Sequence, residues 1–334
     1  MLSKETGISK AALSRALGDC SGVNAQIRSA AKAAAEKYCY SGKQKKDFPL
    51  TVILPDTPHY FWDLSLKGIN DALGPLKFRL SRITNLHDFS SLEQCIKKAV
   101  SHGVRALILP VPNQKIADLL AKFDEDIIIF QLCEYRDIIN SFQFSSDGYS
   151  DGQRLAKALL SAHGYAQQNL YSESYKFAKI PYAVLLDSYT QLSSERSEGF
   201  RSVYPEEYIL DIIEIPDNFG RLLPSVLARL ITDKGLSRFE LLICNDGILP
   251  AASATIKKLG MTGKAFCAGY EYQEKSQNER DRNICVTVTQ DIYSESFAAA
   301  SATAVYIKTG VFPDRKKFVL PSSIFNYKKP PEAM

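Results

Sequence analysis

From residue 50 onward, short apolar runs alternate with amphipathic ones. Runs of strand length occur at 50–54, 106–109, 127–132, 182–186, 209–215, 241–244, 265–268 and 286–289. Helical periodicity fills most of the gaps, at 61–73, 92–101, 115–123, 152–162, 195–203, 221–232, 249–259 and 295–307. Continuously apolar strands separated by amphipathic helices predict parallel sheets covered on both faces. The strands are too many for one small sheet, so the pattern predicts an α/β body of two doubly wound subdomains. The first takes about 50–164 plus 290–317, and the second about 165–289 plus 318–334. Ligands of such folds bind beyond the carboxyl ends of the strands, which makes the loops after them the place to look.

Residues 1–40 follow a different, all-α pattern. Leu2 to Thr6 read as the remnant of a first helix ended by Gly7, and Ser9 caps a second helix over 10–17. Asn24 caps a third, in which Ile27, Ala30, Ala31, Ala34 and Tyr38 recur at helical spacing. Two helices joined by a glycine turn, with a third behind them, predict a helix-turn-helix head. Residues 41–49 (SGKQKKDFP) form a polar, basic linker between head and body.

Composition and charge sharpen this division. The 334 residues hold 41 Lys and Arg against 37 Asp and Glu, and 45% are hydrophobic, as in a globular chain. The net charge of +4 is unevenly spread: residues 1–50 carry nine basic and four acidic side chains, a net +5, which leaves −1 for the other 284. A basic head on a neutral body points to a nucleic-acid or membrane contact made by the charged part alone, and the helix-turn-helix makes double-stranded DNA the expected partner. No apolar run approaches the length of a membrane span, and the N-terminus lacks the apolar stretch of a signal peptide. Seven widely spaced cysteines without a CxxC pair suit reduced thiols in the cytoplasm. His59, His87, His102 and His163 are scattered without metal-ligand spacing, and neither a nucleophile elbow nor a phosphate loop occurs. The reading is therefore a non-enzyme, without cofactor or metal.

Several short motifs recur in a telling order. They are GISKAALSRAL at 7–17, AAAEKYCY at 33–40, Pro55-Asp56 followed by Phe61-Trp62 and Gly68-Ile69, Arg196-x-x-Gly199-Phe200, Cys244-Asn245-Asp246, Gly269-Tyr270-Glu271 and Thr289-Gln290-Asp291. Together they resemble the lactose-repressor (LacI/GalR) family of bacterial transcription regulators along nearly the whole chain. The resemblance implies a homodimer whose heads read a palindromic operator and whose body, similar to a type I periplasmic binding protein, closes on a small effector. Coupling between effector and operator affinity would amount to ~1–3 kcal/mol. Two departures stand out. Met1 falls where the family's first helix is already under way, so the expectation is a start upstream or a marginal head. After Tyr40 the family's Ala-x-x-Leu hinge helix, which wedges a leucine into the minor groove, is replaced by the lysine-rich linker.

For the head, Ser9, Lys10, Ala11, Ser14 and Arg15 are the expected groove and phosphate contacts, joined by Lys43, Lys45 and Lys46 as sequence-blind phosphate contacts. For the effector, Arg196 offers a rigid fork to hydroxyls or a carboxylate. Trp62 offers a stacking plane, whereas Phe61 is divided between core and cleft and Phe219 is similarly placed. Asn245, Asp246, Glu271, Gln290 and either Asp147 or Asp151 complete the polar set by resemblance. An aromatic plane with Arg, amide and carboxylates suits a carbohydrate. The alternatives are a cytoplasmic sugar sensor with weakened DNA binding and, less consistent with the basic head, an extracytoplasmic solute-binding protein.

Overall fold

The computed structural model describes residues 6–9, 12, 13, 16, 23–37, 49–56, 60–83, 89–111, 113–123, 127–162, 182–187, 190–214, 223–234, 240–244, 248–272 and 283–326. The chain divides into two units, Met1–Phe48 and Pro49–Met334. In the first, Ser9 Oγ accepts from the Ala12 amide at 3.2 Å and its carbonyl from the Leu13 amide at 2.9 Å, the geometry of a helix N-cap. Helix α1 (Ala25–Lys37) is capped by Asn24, whose Oδ1 accepts from the Ile27 amide at 2.8 Å. Leu13, Ala16, Ala31 and Ala34 form a small buried core bordered by Ile8, Val23 and Ile27.

The second unit contains two six-stranded sheets. Its strands are β1 (Leu50–Pro55), β2 (Arg79–Ile83), β3 (Ala106–Pro110), β4 (Ile128–Leu132), β5 (Ser141–Ser145), β6 (Ala183–Asp187), β7 (Ile209–Glu214), β8 (Glu240–Cys244), β9 (Ala265–Tyr270), β10 (Ile284–Thr289), β11 (Lys317–Val319) and β12 (Ser323–Asn326). The first sheet runs β11-β5-β4-β3-β1-β2 and the second β12-β10-β9-β8-β6-β7. Every described pairing is parallel except β10 with β12. Helices α2 (Tyr60–Leu73), α3 (Phe89–Ser101), α4 (Gln114–Leu120), α5 (Gly148–Ala162), α6 (Gln191–Arg201), α7 (Leu223–Lys234), α8 (Leu249–Lys258) and α9 (Ile292–Thr309) cover the faces.

Each sheet has a core on both sides, which is why its central strands are apolar without alternation. In β1, Val52 and Leu54 face a cluster with Ile69 and Leu73 of α2 and Ala299 of α9. Ile53 points the other way, toward Leu92 and Ile96 of α3 and Ile116 of α4. In the second sheet Leu185 meets Leu159 and Phe200, whereas Val184 and Leu186 meet Leu227 and Ile256.

The chain passes between the lobes three times, at 146–147, 290–291 and 320–322. This corrects the expected subdomain boundary at 164: α5 packs on α6 and against β10 and β12, so the first passage precedes it. The physical reason is contact at glycine. A Cβ on Gly152 would lie 2.1 Å from the Arg196 carbonyl oxygen, and one on Gly199 2.0 Å from that of Tyr149, so α5 and α6 touch backbone to backbone. Likewise β11 belongs to the first sheet through its pairing with β5, although residues 318–334 were expected in the second.

Four strands escaped the hydrophobic pattern. Strand β2 is an edge with only Ile83 buried, and β11 and β12 are edges of three and four residues. Strand β5 is fully buried but alternates Ser, Phe, Gln, Phe and Ser, and its polar side chains hydrogen-bond in the interior: Gln131 of β4 donates to Ser141 Oγ at 2.8 Å and Gln143 donates to Ser145 Oγ at 2.5 Å. Helices α6 and α9 begin earlier than their apolar periodicity suggests, because Thr190 and Asp291 cap them through side-chain acceptors.

Candidate functional site

Two strand ends and one helix converge between the lobes. Thr190 starts α6, and its second turn carries Arg196, which is wholly buried. Arg196 Nη2 donates to Glu271 Oε1 at 2.6 Å and to Gln290 Oε1 at 3.4 Å. The guanidinium also lies 4.2 Å from the centre of the Tyr270 ring, a cation–π placement. Glu271 follows β9 with φ of 59°, a left-handed conformation costing a residue with a Cβ about 1–2 kcal/mol. Its amide is held by the Val288 carbonyl at 3.0 Å. Gln290 follows β10 and accepts from Ser146 Oγ at 3.4 Å. Arg196, Glu271 and Gln290, separated widely in sequence, are thus one hydrogen-bonded cluster.

Residues from the first lobe reach this cluster across the cleft. Tyr60, which opens α2, donates its hydroxyl to the Glu271 carbonyl at 2.8 Å. Arg136, beyond β4, donates to Gln191 Oε1 at the start of α6. Gln191 in turn donates to Glu195 at 2.9 Å.

Two further groups lie at the same place, and neither was among the sequence candidates. Glu295 is fully buried on α9, and no described residue donates a hydrogen bond to either of its carboxylate oxygens. Burial, and then the charge of Glu271, push its carboxyl well above the usual carboxylate range, against the opposing pull of Arg196. Cys133, after β4, has φ of 68° and is also buried. Its thiol is pushed up by burial and then by Glu295. The signal for Glu295 was present in the sequence: it interrupts a stripe of Ile292, Ser296, Ala299, Thr303 and Ala304 that is otherwise small or apolar and buried.

The remaining candidates lie elsewhere or do other things. Phe61 belongs to the first lobe's core but also lines a cavity of about 90 Å³ with Tyr60, Gln290, Ile292 and Phe325. Trp62 is half-buried against that core, edge-on to Phe61 at 5.0 Å. Asp147 is exposed and caps α5 by accepting from the Ser150 amide at 3.0 Å. Asp151 is buried and accepts from Ser322 Oγ at 2.7 Å and from Arg154 at 3.3 Å, which ties the first lobe passage to the third. Phe219, Asn245 and Asp246 lie outside the described residues, as do Lys10, Ala11, Ser14, Arg15, Lys43, Lys45 and Lys46.

An arginine, two carboxyl groups and an amide at one spot form a set of hydrogen-bond donors and acceptors suited to a polar ligand. Among the described residues, no group of three or more His, Cys, Asp or Glu could hold a metal ion. No helix among them is long and apolar enough to cross a membrane.

No family model matches the chain, and no curated protein does. Solved structures do. The periplasmic component of an ABC-type sugar transport system from Hahella chejuensis is similar at a TM-score of 0.69 and 17% identity, covering 83% of this chain and 99% of that one. GanP, a glucose-galactose binding protein from Geobacillus stearothermophilus, is similar at 0.66 and 15% identity, covering 84% and 98%. A LacI-family transcriptional regulator from Silicibacter pomeroyi is similar at 0.63 and 17% identity, covering 97% and 96%. The body of this chain therefore has the two-lobe, parallel-sheet α/β fold of the periplasmic binding proteins, with its buried Arg196 cluster between the lobes.

Proposed function

We propose that this chain is a DNA-binding transcription regulator of the LacI/GalR type, acting as a cytoplasmic homodimer. Its body closes on a carbohydrate, and closure alters the affinity of the two heads for an operator. The observation that carries this reading is the Arg196–Glu271–Gln290 cluster, built where the strands of a two-lobe fold end. Its donors and acceptors match a ring of hydroxyls better than an apolar ligand, and Phe61 or Trp62 would supply the apolar wall. Support comes from neighbours of the same fold solved with D-arabinose and D-allose. Head and linker add the second half of the reading, since the +5 charge of residues 1–50 suits phosphate contacts by Lys10, Arg15, Lys43, Lys45 and Lys46. The regulator from Silicibacter pomeroyi aligns over 97% of this chain, against 83–84% for the Hahella and Geobacillus binding proteins.

A second reading is favoured by one feature, the linker, which lacks the Ala-x-x-Leu hinge segment and carries three lysines instead. In that reading the chain senses a sugar and binds DNA without sequence preference. Titrating upstream DNA and an unrelated duplex over a range of salt separates the two. A specific regulator binds the upstream DNA more tightly at every salt concentration. Equal, steeply salt-dependent affinity for both duplexes would defeat the regulator reading. The effector half is tested by thermal unfolding with D-arabinose, D-allose, D-glucose, D-galactose and D-ribose. A ligand present at one hundred times its Kd adds about 2.7 kcal/mol, a shift of roughly 4–5 °C for a body of this size. No shift with any of these sugars would count against a carbohydrate effector.

A further inference from the structure

Glu295 is unusual among the buried polar groups of the body, because the groups that face it belong to both lobes. Arg196 on α6, Asp151 on α5 and Glu271 after β9 come from the second lobe, Cys133 after β4 from the first, and Asp291 is the cap of its own helix. Strands β3, β4 and β5, on which α9 packs, carry no ionisable side chain. On α2, Lys67 pairs with Asp71 at the surface and Asp63 is 78% exposed beside Arg82. Arg196 is thus the one cation facing Glu295 among the described residues, and Glu271 engages it at 2.6 Å. Asp151 is occupied by Arg154 and Ser322. An ionised carboxylate buried without any donor costs several kcal/mol, so in this arrangement Glu295 is a neutral acid.

The enclosure of Glu295 depends on the lobes staying together. Each lobe has its own sheet and cores, three strands of chain link them, and Tyr60–Glu271 and Arg136–Gln191 are side-chain contacts bridging the cleft. Such a body hinges at its linking segments. Two of these, at 290–291 and 146–147, sit beside the Glu295 cluster through Gln290 and Ser146. Parting the lobes withdraws Arg196, Glu271 and Asp151 from Glu295 and admits water.

We propose that Glu295 is a proton-operated lock on the cleft, neutral while the lobes are together and ionised when they part, so that closure takes up one proton from solvent. The lock belongs to the two-lobe hinge and holds whatever the ligand is. The closed form carries the extra proton, so closure is favoured at low pH and lost as pH rises between the ordinary carboxylate range and the raised value of the closed form. Within that window the closure equilibrium falls by up to about tenfold per pH unit.

The test uses the full chain without ligand, from about pH 5 to pH 9. Small-angle X-ray scattering follows opening, and infrared spectroscopy follows the carbonyl stretch of a neutral carboxylic acid. The wild type should show that band at low pH, then lose it and expand with one shared midpoint. E295Q, which imitates the neutral acid in shape, should lack the titrating band and stay compact throughout. A wild-type radius of gyration that is flat with pH, or an E295Q protein that expands at the wild-type midpoint, would overturn the proposal. The wild-type infrared band decides the matter independently of whether E295Q folds, because its absence at low pH would by itself refute a buried neutral acid.

Discussion

Replacing Arg196 by methionine tests the physics of the cluster most directly. The substitution keeps a long apolar side chain in a wholly buried site but removes the guanidinium that Glu271 meets at 2.6 Å. Glu271 is itself 8% exposed, so water does not replace the lost partner. Two routes remain: the carboxylate stays ionised without its guanidinium, which costs about 3–5 kcal/mol, or it takes up a proton. At pH 7, protonating a carboxyl whose ordinary value is about 4.3 costs about 3.7 kcal/mol, and at pH 5 only about 1 kcal/mol. The lost hydrogen bonds and the contact with Tyr270 add about 1–2 kcal/mol at either pH. R196M is therefore expected to unfold in urea with about 4–6 kcal/mol less stability than wild type at pH 7, and about 2–3 kcal/mol less at pH 5. R196M combined with E271L leaves no stranded charge, so it should recover most of the loss at pH 7 and show little pH dependence. Equal costs for R196M at the two pH values, or a double variant as unstable as the single one, would refute the claim that the carboxylate deprived of its guanidinium dominates.

Three other expectations follow from particular contacts. Gly199→Ala drives a methyl group into the Tyr149 carbonyl at 2.0 Å, so α6 must move off α5, at a cost of about 1–3 kcal/mol in urea unfolding and with a displaced Arg196 in a crystal structure of the variant. Among Cys95, Cys133, Cys267 and Cys285, native alkylation at pH 8 should modify Cys95 alone, as read by mass spectrometry of peptides. Cys95 is half-buried, whereas burial pushes the Cys285 thiol up to about 12 and the Cys133 thiol well above its ordinary value. The raised carboxyl of Glu295 means that the folded body holds a proton the unfolded chain has lost. Stability should thus fall with rising pH above the ordinary carboxylate range, by up to about 1.4 kcal/mol per pH unit, and E295Q should remove that slope in urea unfolding.

The apolar runs that form β1, β3, β4 and β6 were legible because these strands are buried on both faces, so their burial is written as uninterrupted hydrophobicity. Helices were legible from their stripes, and Ser9 and Asn24 from their capping chemistry. Arg196 could be picked out as a candidate from its place near the start of a helix that follows a strand, and Glu271 and Gln290 through the resemblance of their motifs. Local pattern did not extend to β5, whose Ser and Gln side chains pair with one another in the interior, or to the passage of the chain before α5. Both depend on which residues meet across space.

What the sequence determined by itself, then, was local: which segments bury a face, where helices begin, and where positive charge collects in the head. Tertiary structure alone decided that Arg196 would pair with a carboxylate 75 residues away, and that Tyr60 would reach the same backbone from the other lobe. It also enclosed Glu295 so fully that burial, and then the charge of Glu271, push its carboxyl well above the usual carboxylate range. The reason is that a side chain's charge state and partner depend on the dielectric and neighbours around it, and those are set by long-range packing.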